Sequence, residues 1–211
     1  MTTQKFRMMP AVATLEQSSR LVACFRSASR PSVAYPLLGV AAVGYVVVAL
    51  LLSLARALPM PTPYLRIPDA DYFAAGAYFY APVIVAAWLL GSSVMYVVAW
   101  TLRNKPQFDD LLTRAAFATG LGTLGTLIPD LVTSPLRAVG VIDERVWEAS
   151  IAQHGGWFVF TWVALSTYLL LFLVGYPLAV RQATTLEWPK SIAIGVLGFV
   201  VFQSFEYVFI R

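Results

Sequence analysis

The chain has 211 residues, of which 59% are apolar and only 12% charged, about half the charged share of a soluble globular domain. So few charges cannot cover so apolar a core in water, which excludes a soluble domain and makes lipid the natural solvent. The net charge of +4 does not indicate nucleic acid, because the basic residues lie at the ends and in loops rather than along one aromatic-interleaved stripe.

In chain order, residues 1–33 come first. Their charged region is too long for a secretory signal, and the apolar run that follows is longer than a signal core, although Ala55-Arg56-Ala57 resembles a cleavage site. Thr14 to Arg30 reads as an amphipathic helix lying on the cytoplasmic leaflet. Thr14 and Gln17 match a capping box. Leu15, Leu21, Val22, Phe25 and Ala28 share one face, and Arg20, Arg26 and Arg30 are placed to contact anionic lipid headgroups.

Five apolar stretches follow, each near the roughly 20 helical residues that cross a bilayer. They run over about 34–55, 80–102, 115–132, 156–180 and 191–210. The third is the weakest, being rich in Gly and Thr with Asp130 near its end. The runs are continuous rather than alternating, so the spans are helices and not barrel strands. Pro59, Pro61 and Pro63, Pro106, Pro135 and Pro189 punctuate them. Tyr72, Phe73, Tyr78, Phe79, Tyr80, Trp100, Trp157 and Trp162 are expected in interfacial belts. A short outer helix is expected over Asp143 to Gln153, with Val146, Trp147 and Ile151 toward lipid and Gly155 as its terminator. The expected fold is therefore all-α and integral to the membrane: a bundle of about five transmembrane helices over 34–211, preceded by the segment 1–33 with its interfacial helix.

The fifteen Lys and Arg residues fix an expected orientation. Ten fall on the side of the N-terminus (Lys5, Arg7, Arg20, Arg26, Arg30, Arg103, Lys105, Arg114, Arg181, Lys190), and five on the other (Arg56, Arg66, Arg137, Arg145, Arg211). The positive-inside rule then places the N-terminus in the cytoplasm and the C-terminus outside.

Three features invite chemistry. Gly120, Gly122 and Gly125 spell the dinucleotide pattern G-x-G-x-x-G, with Asp143 downstream, but lie within a span and lack the preceding strand the pattern needs. They read instead as positions of close helix approach, as do Gly39, Gly44, Gly195 and Gly198. Glu206 is an ionisable group inside the last span, with Gln203 one turn earlier and Phe199 and Ile210 extending the stripe. Such a group marks function by default, against the plainer reading of an interfacial carboxylate, paired with Arg211 or protonated. Asp130 is the second candidate, near the outer end of span three with Asp69, Asp71, Asp143, Glu144 and Glu148 on that side; Asp109 and Asp110 read as first-turn acids. No phosphate-binding loop, H-E-x-x-H or G-x-S-x-G occurs. Cys24 and His154 are each the only residue of their type, so no Cys/His metal cluster can form within the chain and a Ser-His-Asp arrangement would have to use His154. No enzyme, cofactor or metal is expected.

The layout resembles the Yip-domain family of small membrane proteins, with a cytoplasmic N-terminus and five clustered helices. The similarity is carried by residues 80–210. The turn Leu102-Arg103-Asn104-Lys105-Pro106-Gln107-Phe108 leads into Asp109-Asp110-Leu111-Leu112 where the family has a glycine-bearing turn, both glycines being absent here; Leu178 to Thr185 then precede Lys190, which opens the last span. The resemblance implies a non-enzymatic membrane protein that organises membranes or binds other membrane proteins, with lipids, other membrane proteins or its own copies as partners. The alternatives are a small transporter, channel or lipid scramblase with Glu206, Gln203 and Asp130 along a polar path, or an accessory subunit of a larger complex.

Overall fold

The computed structural model describes residue 20 and residues 23–59, 67–104 and 106–210. Six helices are described from end to end, besides a helical segment at residues 23–28: α1 (Pro31–Leu54), α2 (Tyr72–Thr101, entered through a 3-10 turn at Asp69–Asp71), α3 (Phe108–Ala138), α4 (Glu144–Ala152), α5 (Gly156–Ala183) and α6 (Trp188–Phe209). No strand occurs among the described residues. All but α4 are long and apolar enough to cross a bilayer, and the chain is an all-α, multi-pass membrane bundle. Its outward surface agrees with that solvent: Val40, Val43, Val47 and Leu50 line the exposed side of α1.

The five long helices close into a ring. α1 packs against α3, α3 against α5, α5 against α6, α6 against α2, and α2 back against α1. α3 has the largest shared surfaces, and this accounts for its weak apolar signal. A helix that faces protein more than lipid needs small residues for close approach rather than bulk, and Ala115, Ala116, Ala118, Thr119, Gly120, Gly122 and Thr123 are all buried. The G-x-G-x-x-G stretch lies in mid-helix. A Cβ on Gly120 would come within 2.9 Å of the Leu38 nitrogen on α1, and one on Gly125 within 2.7 Å of the Tyr168 nitrogen on α5. Across the ring, a Cβ on Gly195 of α6 would lie 2.4 Å from the Pro177 nitrogen of α5. A proline without an N–H and a glycine without a side chain let these two backbones touch.

Several expectations change. Pro135 does not end the third span: α3 continues to Ala138 with both Pro129 and Pro135 inside it, because a bundle can re-satisfy the carbonyls that proline frees. Gly39 is not a packing position, since it faces outward with nothing near its missing Cβ. The second span starts at Tyr72 rather than 80, and Tyr72, Phe73 and Tyr80 are buried inside the ring, whereas Tyr78 is exposed as a belt residue would be. The short outer helix ends on His154, which takes a positive φ of 57°, while Gly155 caps the start of α5. Of the expected N-terminal amphipathic helix, Thr14, Leu15, Gln17, Leu21 and Val22 lie outside the described residues, as does Arg211. Residues 23–28 are helical, and Phe25 packs edge-on against Phe117 of α3, ring centroids 5.2 Å apart.

The two ends of the ring differ. At the end that carries the start of α1, polar side chains knit the elements together. Arg114 of α3 donates to both carboxylate oxygens of Asp110, at 3.0 Å and 2.7 Å. It also donates to Ser29 and to Gln182 of α5. At the other end the ring opens.

Candidate functional site

Between α1, α2, α3, α5 and α6, at the end that carries α4, lies a chamber of about 260 Å³. Each ring helix presents at least two side chains to it. α1 brings Tyr45 and α2 brings Phe73 and Tyr80. α3 brings Thr126 and Asp130, α5 brings Tyr168, and α6 brings Gln203 and Glu206. The placement follows from helical phase: 126 and 130, like 203 and 206, are one turn apart and share a face.

Glu206 is buried inside the ring, 6% exposed, and not set at the outer interface. The Tyr168 hydroxyl lies 2.8 Å from Glu206 Oε2 and 2.6 Å from Gln203 Oε1. That hydroxyl carries one hydrogen, so the carboxylate and the amide oxygen compete for it and one acceptor is left over. Glu206 has no cation within ion-pair distance among the described residues. Asp130 opens onto the same chamber, half-buried, with no hydrogen bond or ion pair to another described residue. Pro129, just before it, removes the helical donor for the Gly125 carbonyl. Tyr45 hydrogen-bonds Thr126. The Tyr80 hydroxyl is buried against Tyr72 and makes no hydrogen bond of ordinary geometry to another described residue.

Toward the α1-start end the chamber is stopped by rings. Phe172 is fully buried, with Phe202 at 4.9 Å, Phe199 at 5.1 Å and Tyr176 at 5.3 Å between centroids. Toward α4 a second cavity of about 270 Å³ continues it, sharing Val48, Leu52, Phe73 and Asp130 in its walls and adding Ser134, Arg137, Trp147 and Glu148. Arg137 is already engaged there. It donates to both carboxylate oxygens of Glu144 at 2.7 Å and 2.6 Å and lies 4.8 Å above the Trp147 ring. With that guanidinium held by Glu144, the described walls of the passage carry three further carboxyl groups, those of Glu148, Asp130 and Glu206.

All three polar residues singled out in the sequence, Glu206, Gln203 and Asp130, thus share one chamber. Arg20, Arg26 and Arg30 are exposed at the opposite end. Sequence reasoning missed Tyr45, Tyr80, Thr126 and Tyr168. Tyr80 was assigned to a belt. The spacing of Tyr168, Phe172 and Tyr176 at successive turns of α5 was the available signal for an inward aromatic face. No group of three or more His, Cys, Asp or Glu suited to a metal ion occurs among the described residues. No protein-family model, curated protein or solved structure matches the chain.

Proposed function

We propose that the chain is a small membrane permease or channel-like protein that admits a small cationic solute into the chamber, with Glu206 as its principal anchor and Asp130 as the second carboxylate on the way in. One observation carries this reading: Glu206 lies buried in a membrane helix, in a chamber that reaches toward one end of the bundle, with no opposing cation among the described residues. A buried carboxylate with no cation beside it among the described residues is costly in a membrane core, and a visiting cation offsets that cost. We place the N-terminus in the cytoplasm from the distribution of Lys and Arg, which makes the chamber face outward and sets Arg20, Arg26 and Arg30 against the inner headgroups. No enzymatic step is part of the proposal.

The test is uptake of a panel of monovalent cations, inorganic and organic, into proteoliposomes. Glu206→Gln is expected to lower uptake of the accepted cation by more than about tenfold, as loss of a buried charge partner does. Uptake no higher than in empty vesicles, or unchanged in Glu206→Gln, overturns the proposal. A second reading, the membrane-organising role that accompanies the Yip-domain resemblance, is favoured by the short connections between α2 and α3 and between α5 and α6. It needs no chamber, so copurification of specific membrane partners that is indifferent to Glu206→Gln would favour it.

A further inference from the structure

The walls of the chamber narrow the class of solute, on the footing that the chamber is a solute site. An alkali ion needs a compact shell of oxygens to replace its water. Here the side-chain oxygens come from all five ring helices, and much of the wall is apolar or aromatic: Tyr45, Phe73, Tyr80 and Tyr168 with Val48 and Leu52. Water occupies about 30 Å³ per molecule in the liquid, so the volume of about 260 Å³ exceeds what a bare metal ion and its ligands fill. An anion would meet Glu206 and Asp130, and an uncharged apolar solute would leave both carboxyl groups without a cation.

We infer that the chamber binds a small organic ammonium ion, its charge toward Glu206 and Asp130 and its alkyl groups against the aromatic rings of Tyr45, Phe73 and Tyr80. Ring faces attract such cations through their quadrupole, and several rings around one site are the usual means of holding a methylated ammonium. The paired acids do not stand alone in this argument. The Tyr80 side chain, only 2% exposed, lines the same chamber with a hydroxyl that makes no hydrogen bond of ordinary geometry to another described residue, and the contest for the Tyr168 hydrogen leaves an acceptor open to an N–H donor or a polarised N–CH₃ group. Entry runs past Glu148 and Asp130, and Arg137, the basic residue among the described wall residues, is tied to Glu144.

The same ammonium chemistry could arrive as a free solute or as the headgroup of a choline lipid, and one experiment separates the two. The full chain is placed in nanodiscs of phosphatidylglycerol, which carries no ammonium, or of phosphatidylcholine. Thermal stability is then read against rising tetramethylammonium, choline or sodium chloride at constant ionic strength. In phosphatidylglycerol, tetramethylammonium and choline are expected to raise the melting temperature with saturation while sodium does not. Glu206→Gln is expected to weaken that response by more than about tenfold; Asp130→Asn, which removes the second charge, and Phe73→Ala, which removes a ring, weaken it as well and serve if the Glu206 variant fails to fold. The same response in phosphatidylcholine discs identifies a free solute, and a response already saturated there identifies the lipid headgroup; both sustain the inference. Equal stabilisation by sodium and tetramethylammonium, or an ammonium response untouched in all three variants, overturns it. Glu206-dependent sodium or potassium uptake with no ammonium preference would sink this inference and leave the solute site standing. No Glu206-dependent response to any cation would sink both.

Discussion

Tyr168 decides how the site works at the scale of single residues. It projects from α5 to meet two acceptors of α6 with one hydrogen, so its removal should affect the site more than the fold. Tyr168→Phe keeps the ring against Phe172, 4.7 Å away, and deletes only the hydroxyl. A hydrogen bond to a charged group contributes about 1.5–3 kcal/mol, so cation affinity is expected to change about tenfold or more while the melting temperature moves little. Titration of the bound cation in wild type and Tyr168→Phe, read beside their melting curves, checks this. The sequence made Glu206, Gln203 and Asp130 visible because charge and amide groups are conspicuous within apolar runs. Tyr45, Tyr80 and Thr126 were not, since tyrosine and threonine are ordinary in membrane helices and only the packing of α1 and α2 tells which way they point.

At the scale of elements, α3 and α4 teach opposite lessons. Apolar length alone ranked α3 last among the spans, yet it is the helix that α1 and α5 both lie against. Its Gly, Ala and Thr content reports contact with protein, a distinction that hydropathy cannot make. Gly195→Val tests the close backbone approach of α6 to α5. The added side chain meets the Pro177 backbone, and overpacking of about 1–3 kcal/mol should appear as a lower melting temperature, with Ala193→Val as a comparison at an exposed position of the same helix. The sequence reading located α4 to within a residue at each end because Asp143 caps it, accepting from the backbone of Arg145 at 2.8 Å. What it did not foretell is that Trp147 turns inward, beneath Arg137 and 4.9 Å from Trp157. Arg137→Ala removes the pair with Glu144 and the ring contact together. Detachment of α4 is expected, read as severalfold faster proteolysis of the 139–155 segment, with a stability loss of about 2 kcal/mol.

For the whole molecule, the asymmetry between a knitted end and an open end is the main fact. Below Phe172 the ring is filled by aromatic and small side chains; above it the chamber leads toward α4. Because Cys24 is the single cysteine, a Cys24→Ser background permits a clean accessibility scan. Cysteine at Leu52, Thr126 or Gln203 should react with a membrane-impermeant thiol reagent from one side only, and cysteine at Thr119, buried beyond the plug, from neither. Labelling of the chamber positions from the side of the N-terminus would reverse the orientation derived from the basic residues. The closed ring was beyond reach of the sequence, which supplies the number of helices and their direction but not their order around an axis.

That order, α1–α3–α5–α6–α2, has a consequence for biogenesis. Three of its five contacts join consecutive spans of the chain, and the helix that joins α5 to α2 follows the other four in synthesis. Until Trp188–Phe209 has entered the bilayer, Tyr45, Tyr80, Asp130 and Tyr168 border a gap open to acyl chains, with their polar atoms facing hydrocarbon. Tyr168 therefore waits for both of its acceptors until that helix arrives, and Glu206 is delivered together with the wall that shelters it.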